Sequence, residues 1–189
     1  MRVVAGTARG RRLVAPPGSR VRPTSDRVRE AIFNALGSLD AVDGARVVDL
    51  FAGTGALGIE ALSRGAAHVT FVDADRRAID AVRENLAVTD VGGEAVVLAA
   101  DAIEHLRRLG PGARYDLAFC DPPYDFAGWG QLLAALPCDL VVVESGEEVP
   151  APPGWLVERH RRYGSTVVAF LRPAATDPVP TELRPNAKE

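Results

Sequence analysis

VVDLFAGTGALGIEAL, residues Val47 to Leu62, is the stretch whose reading decides the fold. A β-branched run closes on Asp49 and Phe51, then Gly53, Gly55 and Gly58 follow in the order G-x-G-x-x-G, and small and aliphatic residues continue at helical spacing. A glycine loop between a buried strand and a helix lies at the carboxyl edge of an open α/β sheet, where such sheets take their ligands. The pattern alone leaves the ligand open, because any tight strand-to-helix turn beneath a small molecule needs glycines.

Outward from this unit, as far as Glu144, short apolar runs alternate with segments of helical period. The strands read RVVDLF (46–51), HVTFVD (68–73), AVVLAA (95–100), YDLAFC (115–120) and DLVVVE (139–144). Between them ALGIEALSRG (56–65), ADRRAIDAVRENLAV (74–88), AIEHLRRL (102–109) and WGQLLAAL (129–136) read as helices. Nearly continuous apolar strands imply helices on both faces of a mostly parallel sheet. After Glu144 the pattern changes to WLVERHRR (155–162) and STVVAFLRP (165–173), an antiparallel pair joined at Tyr163-Gly164. The expectation is α/β, a Rossmann-like seven-stranded sheet closed by a C-terminal antiparallel pair.

Before the sheet, MRVVAGTARGRRLVAP (1–16) reads as a glycine-punctuated β-hairpin, and Thr24 or Ser25 is placed to cap a helix DRVREAIFNALG ending near Gly37. Val28, Ile32 and Leu36 share one face of that helix. The boundaries expected are a basic N-terminal extension over 1–22, one ligand-binding domain over 23–173, and a polar, proline-rich tail over 174–189 that reads as disordered.

With 189 residues, 47% hydrophobic and 25% charged, the chain supports one core. It has no membrane-spanning run and no apolar leader, so the expected location is the cytoplasm. Cys120 and Cys138 stand apart, without metal-ligand spacing, and read as reduced core side chains; no metal site is expected. The net charge is only −3, which taken globally disfavours nucleic acid. Its distribution points the other way: residues 1–30 carry eight arginines against two acids, a balance of +6 that leaves −9 for the rest. A solvated arm is one reading. A phosphate-tracking surface is the other, favoured by the match between arginine's fork and phosphate geometry.

An acid at the end of the first strand argues against a phosphate in the glycine loop, because it would repel a pyrophosphate in a poorly screened crevice. S-adenosylmethionine has no phosphate, but carries an ammonium, a sulfonium and a ribose diol, all suited to acidic partners. Asp49, Asp73 and Asp101 stand at three successive strand ends. Asp73, 20 residues after Gly53, can accept from ribose hydroxyls, and Asp101 from the adenine amine. Each by itself reads equally well as a helix cap.

Asp121-Pro122-Pro123-Tyr124 follows the strand YDLAFC, on the same sheet edge. The two prolines fix the backbone and lack N–H groups, so the loop presents acceptors beside a carboxylate and an aromatic ring. An exocyclic nucleobase amine is the matching donor. Asp121 and the Pro122 carbonyl can hold its two N–H groups and favour a pyramidal nitrogen whose lone pair faces a methyl carbon. Tyr124 can stack on a base that is unpaired or flipped out.

DLFAGTG (49–55) with DPPY (121–124) resembles the S-adenosylmethionine-dependent amino-methyltransferases that carry an N/D/S-P-P-Y/F/W loop after the fourth strand. RPTSDRVREAIFNAL (22–36), DLFAGTGALGIEALSRGA, FVD, DPPY, VVES and YGST together resemble, more narrowly, the bacterial 16S rRNA guanine-N2 methyltransferase family, from Arg2 to about Pro173. The resemblance implies a class I methyltransferase fold and methylation of a guanine of the position-966 type in 16S rRNA, within an assembled small subunit. It also implies that Asp49, Phe51, Gly53, Thr54 and Gly55 line the methionine end of the cofactor, Asp73 its ribose, and Asp101 with Ala102 its adenine. Asp121, Pro122, Pro123 and Tyr124 would be catalytic. Arg9, Arg11, Arg12 and Arg22, with Arg27 and Arg29 as weaker candidates, are expected to contact RNA.

Rivals remain. A DNA adenine-N6 methyltransferase would use the same acceptor loop, but usually adds a target-recognition domain for which little chain is left. A protein glutamine methyltransferase more often has NPPY. A non-catalytic RNA-binding assembly factor would not need the acceptor loop. His68, His105 and His160 are scattered and read as surface or strand filling. A monomer is expected, since no exposed apolar stripe is evident.

Overall fold

In a computed structural model, which describes residues 1–15, 26–91 and 94–174, the alternating pattern becomes seven strands and five helices among the described residues. In chain order they are α1 (Asp26–Ser38), β1 (Arg46–Leu50), α2 (Ala56–Ser63), β2 (His68–Asp73), α3 (Arg76–Thr89), β3 (Glu94–Ala99), α4 (Ala102–Arg107), β4 (Tyr115–Cys120), α5 (Trp129–Ala135), β5 (Cys138–Ser145), β6 (Trp155–Tyr163) and β7 (Thr166–Pro173). Arg22, the helix cap expected at Thr24 or Ser25, and the tail beyond Ala174 lie outside the described residues.

The sheet order is β3-β2-β1-β4-β5-β7-β6. Strands β1 to β5 are parallel, β7 pairs antiparallel with β5, and β6 antiparallel with β7. After β1 the chain builds outward through β2 and β3, then returns to place β4 on the other side of β1. That reversal opens a crevice beyond the ends of β1 and β4, the usual ligand position of an open α/β sheet.

Alternate residues of the buried strands serve two cores. Val47, Val69, Phe71, Leu117 and Phe119 pack against α1, α2 and α3 through Ile32, Phe33, Ile59 and Val82. Val48, Leu50, Val72, Ala118 and Cys120 face α4 and α5 through Ala102, Leu106, Leu132 and Leu133. Burial on both sides is why these strands read as unbroken apolar runs. Cys120 and Cys138 are free, buried thiols, and burial raises both pKa values, Cys138 to about 12. No helix among the described residues is long and apolar enough to cross a membrane.

Two details differ from the sequence reading. The turn between β6 and β7 is Gly164-Ser165, one residue later than expected, with Tyr163 paired to Thr166. The N-terminal hairpin narrows to one antiparallel bridge, Arg2 with Arg12, braced by Val3 N–H to the Arg11 carbonyl and Gly10 N–H to the Val3 carbonyl. It is not a free arm. Val3, Ala8 and Leu13 enter the core beside α1 and α2, and Gly6 lies so close to the Ser63 carbonyl that an added Cβ would stand 1.7 Å from its oxygen.

Candidate active site

Three positive φ angles fold the chain between β1 and α2: Phe51 at 61°, Gly53 at 56° and Gly55 at 75°. Gly55 starts α2 without a capping side chain, and Asp49 supplies the missing acceptor from below. Its Oδ2 accepts the Gly58 N–H at 2.9 Å. Gly58 is glycine for a packing reason, since a Cβ there would lie 2.3 Å from a ring carbon of Phe71 on β2. Helix and strand approach that closely only without a side chain.

Asp49 is only 2% exposed, and burial raises its pKa to about 8; the Gly58 hydrogen bond opposes the rise and the nearby Asp73 adds to it. Asp73 ends β2 with both oxygens engaged, Oδ2 by the Gly53 N–H at 2.8 Å and Oδ1 by the Asp75 N–H at 2.8 Å. Each oxygen still has a second lone pair. Asp73 therefore puts a carboxylate at the floor of the glycine loop, beside an Asp49 whose burial disfavours its charged form. Asp101 stands past the end of β3 and caps α4 by accepting the Glu104 N–H at 2.9 Å, with Ala102 buried behind it.

The acceptor loop leaves β4 next to β1, in a register that pairs Leu50 with Cys120, so Phe51 and Asp121 are the first residues beyond the ends of neighbouring strands. Phe51 meets Phe126 edge-on with ring centroids 5.1 Å apart, and Phe126 meets Trp129 at 5.3 Å. These rings tie the glycine loop to the segment after the acceptor loop. Pro122 is buried, Pro123 is exposed, and the Pro123 carbonyl is taken by the Phe126 N–H at 2.9 Å. Tyr124 is 57% exposed; its ring rests over Gly146 and its hydroxyl stands 3.5 Å from Thr166 Oγ1.

The structure thus gathers Asp49, Phe51, Gly53, Thr54, Gly55, Asp73 and Asp121 to Tyr124 around one crevice, with Asp101 and Ala102 at its β3 side. The arginines divide. Arg9, Arg11 and Arg12 are exposed on the N-terminal loop, where Arg11 Nη1 donates to the Val88 carbonyl at 2.8 Å, and Arg27 is exposed on α1. Arg29, expected to face RNA, is instead completely buried. Its Nη2 donates to Asp26 and to the Arg2 carbonyl, and its Nε lies 3.7 Å from Glu60. A guanidinium sealed between α1 and α2 cannot reach a phosphate. Arg29 holds the N-terminal loop in place.

Two positioning residues do not stand out in the sequence. Buried Asn85 on α3 donates to the carbonyls of Thr54 and Val14, both at 2.9 Å, and accepts the Val14 N–H at 2.7 Å. It clamps the glycine loop to the N-terminal segment. Glu60 on α2 accepts the Val4 and Ala5 N–H groups at 2.7 and 2.9 Å. The legible signal for both is a polar residue on a helix face that otherwise faces the core.

Comparison with known proteins matches this geometry to a family. The family model described as "Conserved hypothetical protein 95" covers residues 1–172. The chain is 40% identical to the Bacillus subtilis protein named "Putative rRNA methyltransferase YlbH", over 91% of this chain and 98% of that one. It is 32% identical to "Ribosomal RNA small subunit methyltransferase D" of Haemophilus influenzae, over 87% and 89%. The solved structure titled "Putative methyltransferase yhhF from Escherichia coli" superposes with a TM-score of 0.79 at 33% identity, covering 93% of this chain and 99% of that one. The sheet order, the two strand-end loops and these matches place the chain in the conserved hypothetical protein 95 family, with the fold of its methyltransferase relatives.

Proposed function

We propose that the chain is an S-adenosylmethionine-dependent rRNA methyltransferase acting on the exocyclic N2 of a guanine, of the position-966 type, in 16S rRNA of the small ribosomal subunit. The observation that carries this reading is the adjacency of the glycine loop and the acceptor loop at the ends of β1 and β4. The names of the relatives support rRNA as the substrate class.

The glycine loop suits this cofactor by its chemistry. The Asp73 carboxylate opposes a pyrophosphate, a cation beside the buried Asp49 would favour its charged form, and the open glycine turn admits a ligand close to the backbone. Asp49 and the loop Phe51 to Gly55 would hold the methionine end, Asp73 the ribose, and Asp101 with Ala102 the adenine. When bound, the cofactor supplies a methyl group on a positively charged sulfur.

The remaining chemistry belongs to the chain. The Pro123 carbonyl accepts the Phe126 N–H, and the Pro122 carbonyl is the backbone acceptor next to Asp121 in the loop. Together they would accept the two N–H groups of the guanine amine and draw its nitrogen toward a pyramidal shape, freeing a lone pair that is otherwise delocalised into the ring. As the nitrogen gains the methyl it loses one proton, toward Asp121. Exposed Tyr124 would stack on the base, and a base in a loop needs little energy to enter. Exposed Arg9, Arg11, Arg12 and Arg27 would meet phosphates, with Arg22 a further candidate. The chain would act as a monomer, in the cytoplasm, on the assembled subunit.

The test incubates methyl-labelled cofactor with undermodified small subunits, naked rRNA and duplex DNA, then maps the labelled base. N2-methylguanine in 16S rRNA is expected. Label in N6-methyladenine or in protein glutamine overturns the guanine assignment.

A further inference from the structure

β6 is an edge of the sheet, and WLVERHRRY gives it an unusual charge for a strand. Arg159, Arg161 and Tyr163 alternate onto the face toward α1, where with Ala31, Asn34 and Ser38 they line a cleft of about 320 Å³ floored by Val168 and Phe170. Arg159, Arg161 and Arg162 are exposed, and none has an ion-pair partner among the described residues. Of the neighbouring acids, Glu158 is held by Arg172 at 2.8 Å, and Glu148 lies 3.8 Å from the His160 ring. Across the cleft, Arg27 continues the helical stripe of Ala31, Asn34 and Ser38, and Glu30 is the acid on its flank.

Two like charges on one face of a strand, about 6.7 Å apart, repel. Their spacing is close to that of successive phosphates along an extended single strand. The walls supplied by Ala31 and Ala35 are low, and Tyr163 offers a ring at the cleft's end. That end adjoins the acceptor loop, since Tyr163 pairs with Thr166, whose hydroxyl faces that of Tyr124. The N-terminus of α1 points to the same edge, because its C-terminus leads to the start of β1.

We propose that the cleft between α1 and β6 binds the single-stranded RNA flanking the target nucleotide, with Arg159, Arg161 and Arg27 on successive phosphates and Tyr163 stacked on a neighbouring base. The site rests on the reading of the chain as an RNA methyltransferase and adds a second anchoring surface to the N-terminal loop.

The experiment compares the full chain with R159A/R161A, R159K/R161K and the distant exposed R114A, using a fluorescent RNA hairpin with a guanine in its loop. Equilibrium binding across salt concentrations and methyl transfer to the same RNA are both read. R159A/R161A should weaken binding at least tenfold and flatten the log–log salt slope by about 1.4, the value for two single-strand phosphate contacts. Its affinity for S-adenosylmethionine should be unchanged, R159K/R161K should keep most of the slope, and R114A all of it. A wild-type affinity and slope in R159A/R161A overturns the cleft while leaving the function intact. A wild-type chain that binds this RNA through the two arginines but transfers no methyl to any rRNA overturns the function while leaving the cleft. Loss of slope in R114A as well overturns a localised site.

Discussion

Asp49 answers two opposed demands: its carboxylate caps the first turn of α2, and its burial disfavours the charge that would make the cap strongest. Burial wins, with a pKa of about 8. Between the ordinary value of 3.8 and about 8 the unfolded chain has released a proton that the folded chain retains. Stability attributable to this group therefore falls as pH rises across that window and is level above it. Asp49→Asn keeps an acceptor for Gly58 without a titrating proton, so it should raise Tm relative to wild type at pH 9 and change it little at pH 4. A cationic ligand beside the carboxylate favours its charged form. Calorimetry of S-adenosylmethionine binding at pH 7, in buffers of different ionisation enthalpy, should show close to one proton released, and the Asp49→Asn variant should lose that release. At the acceptor loop, Asp121→Ala should lower kcat by about a hundredfold or more, by removal of one transition-state acceptor, while cofactor affinity stays within about threefold. Full activity in that variant would remove Asp121 from the mechanism.

At the scale of elements, helix α2 joins the site to its support. Its first turn carries the glycine loop; its last turn, through Glu60 and Ser63, grips residues 4 to 8. Gly58→Ala should cost about 1–3 kcal/mol through the clash with Phe71, read as a lower denaturant midpoint with an unchanged slope. The strands and helices around this unit were legible in the sequence because burial on both faces leaves long apolar runs and α2 to α5 each start behind a glycine or an aspartate, Gly55, Asp75, Asp101 and Gly128. Arg29 was not legible. In the sequence it is one arginine among eight at the basic N-terminus; only the packing of α1 on α2 shows that its partner is Glu60, on a segment 31 residues further on. Asp101 was legible in position but ambiguous in role, and in the structure it caps α4.

For the molecule as a whole, the N-terminal loop is a structural part of the sheet domain's core and also an exposed arginine surface. Its interior is polar: Arg29 and Glu60 are both fully buried, and Arg64 completes the cluster at 2.8 Å from Glu60. Glu60→Ala leaves the buried Arg29 with only the exposed Asp26 as counter-charge and strips the Val4 and Ala5 N–H groups of their acceptor, and should destabilise the chain by about 3–5 kcal/mol, measured by chemical denaturation. The two loops that meet at the ends of β1 and β4 were legible as motifs because each is contiguous in sequence. The α1–β6 cleft was not readable, because its walls are more than 120 residues apart and meet only through the antiparallel return of β7.

The exposed edge at β6 has one more consequence, for solubility. A sheet that ends in an open strand offers its free backbone groups to any other extended chain, and β6 begins with exposed Leu156 and Val157. Glu158 through Arg162 then put five consecutive charged or titratable side chains along that margin. Approaching copies meet like charge before backbone groups can pair, so these residues guard the molecule against edge-to-edge aggregation.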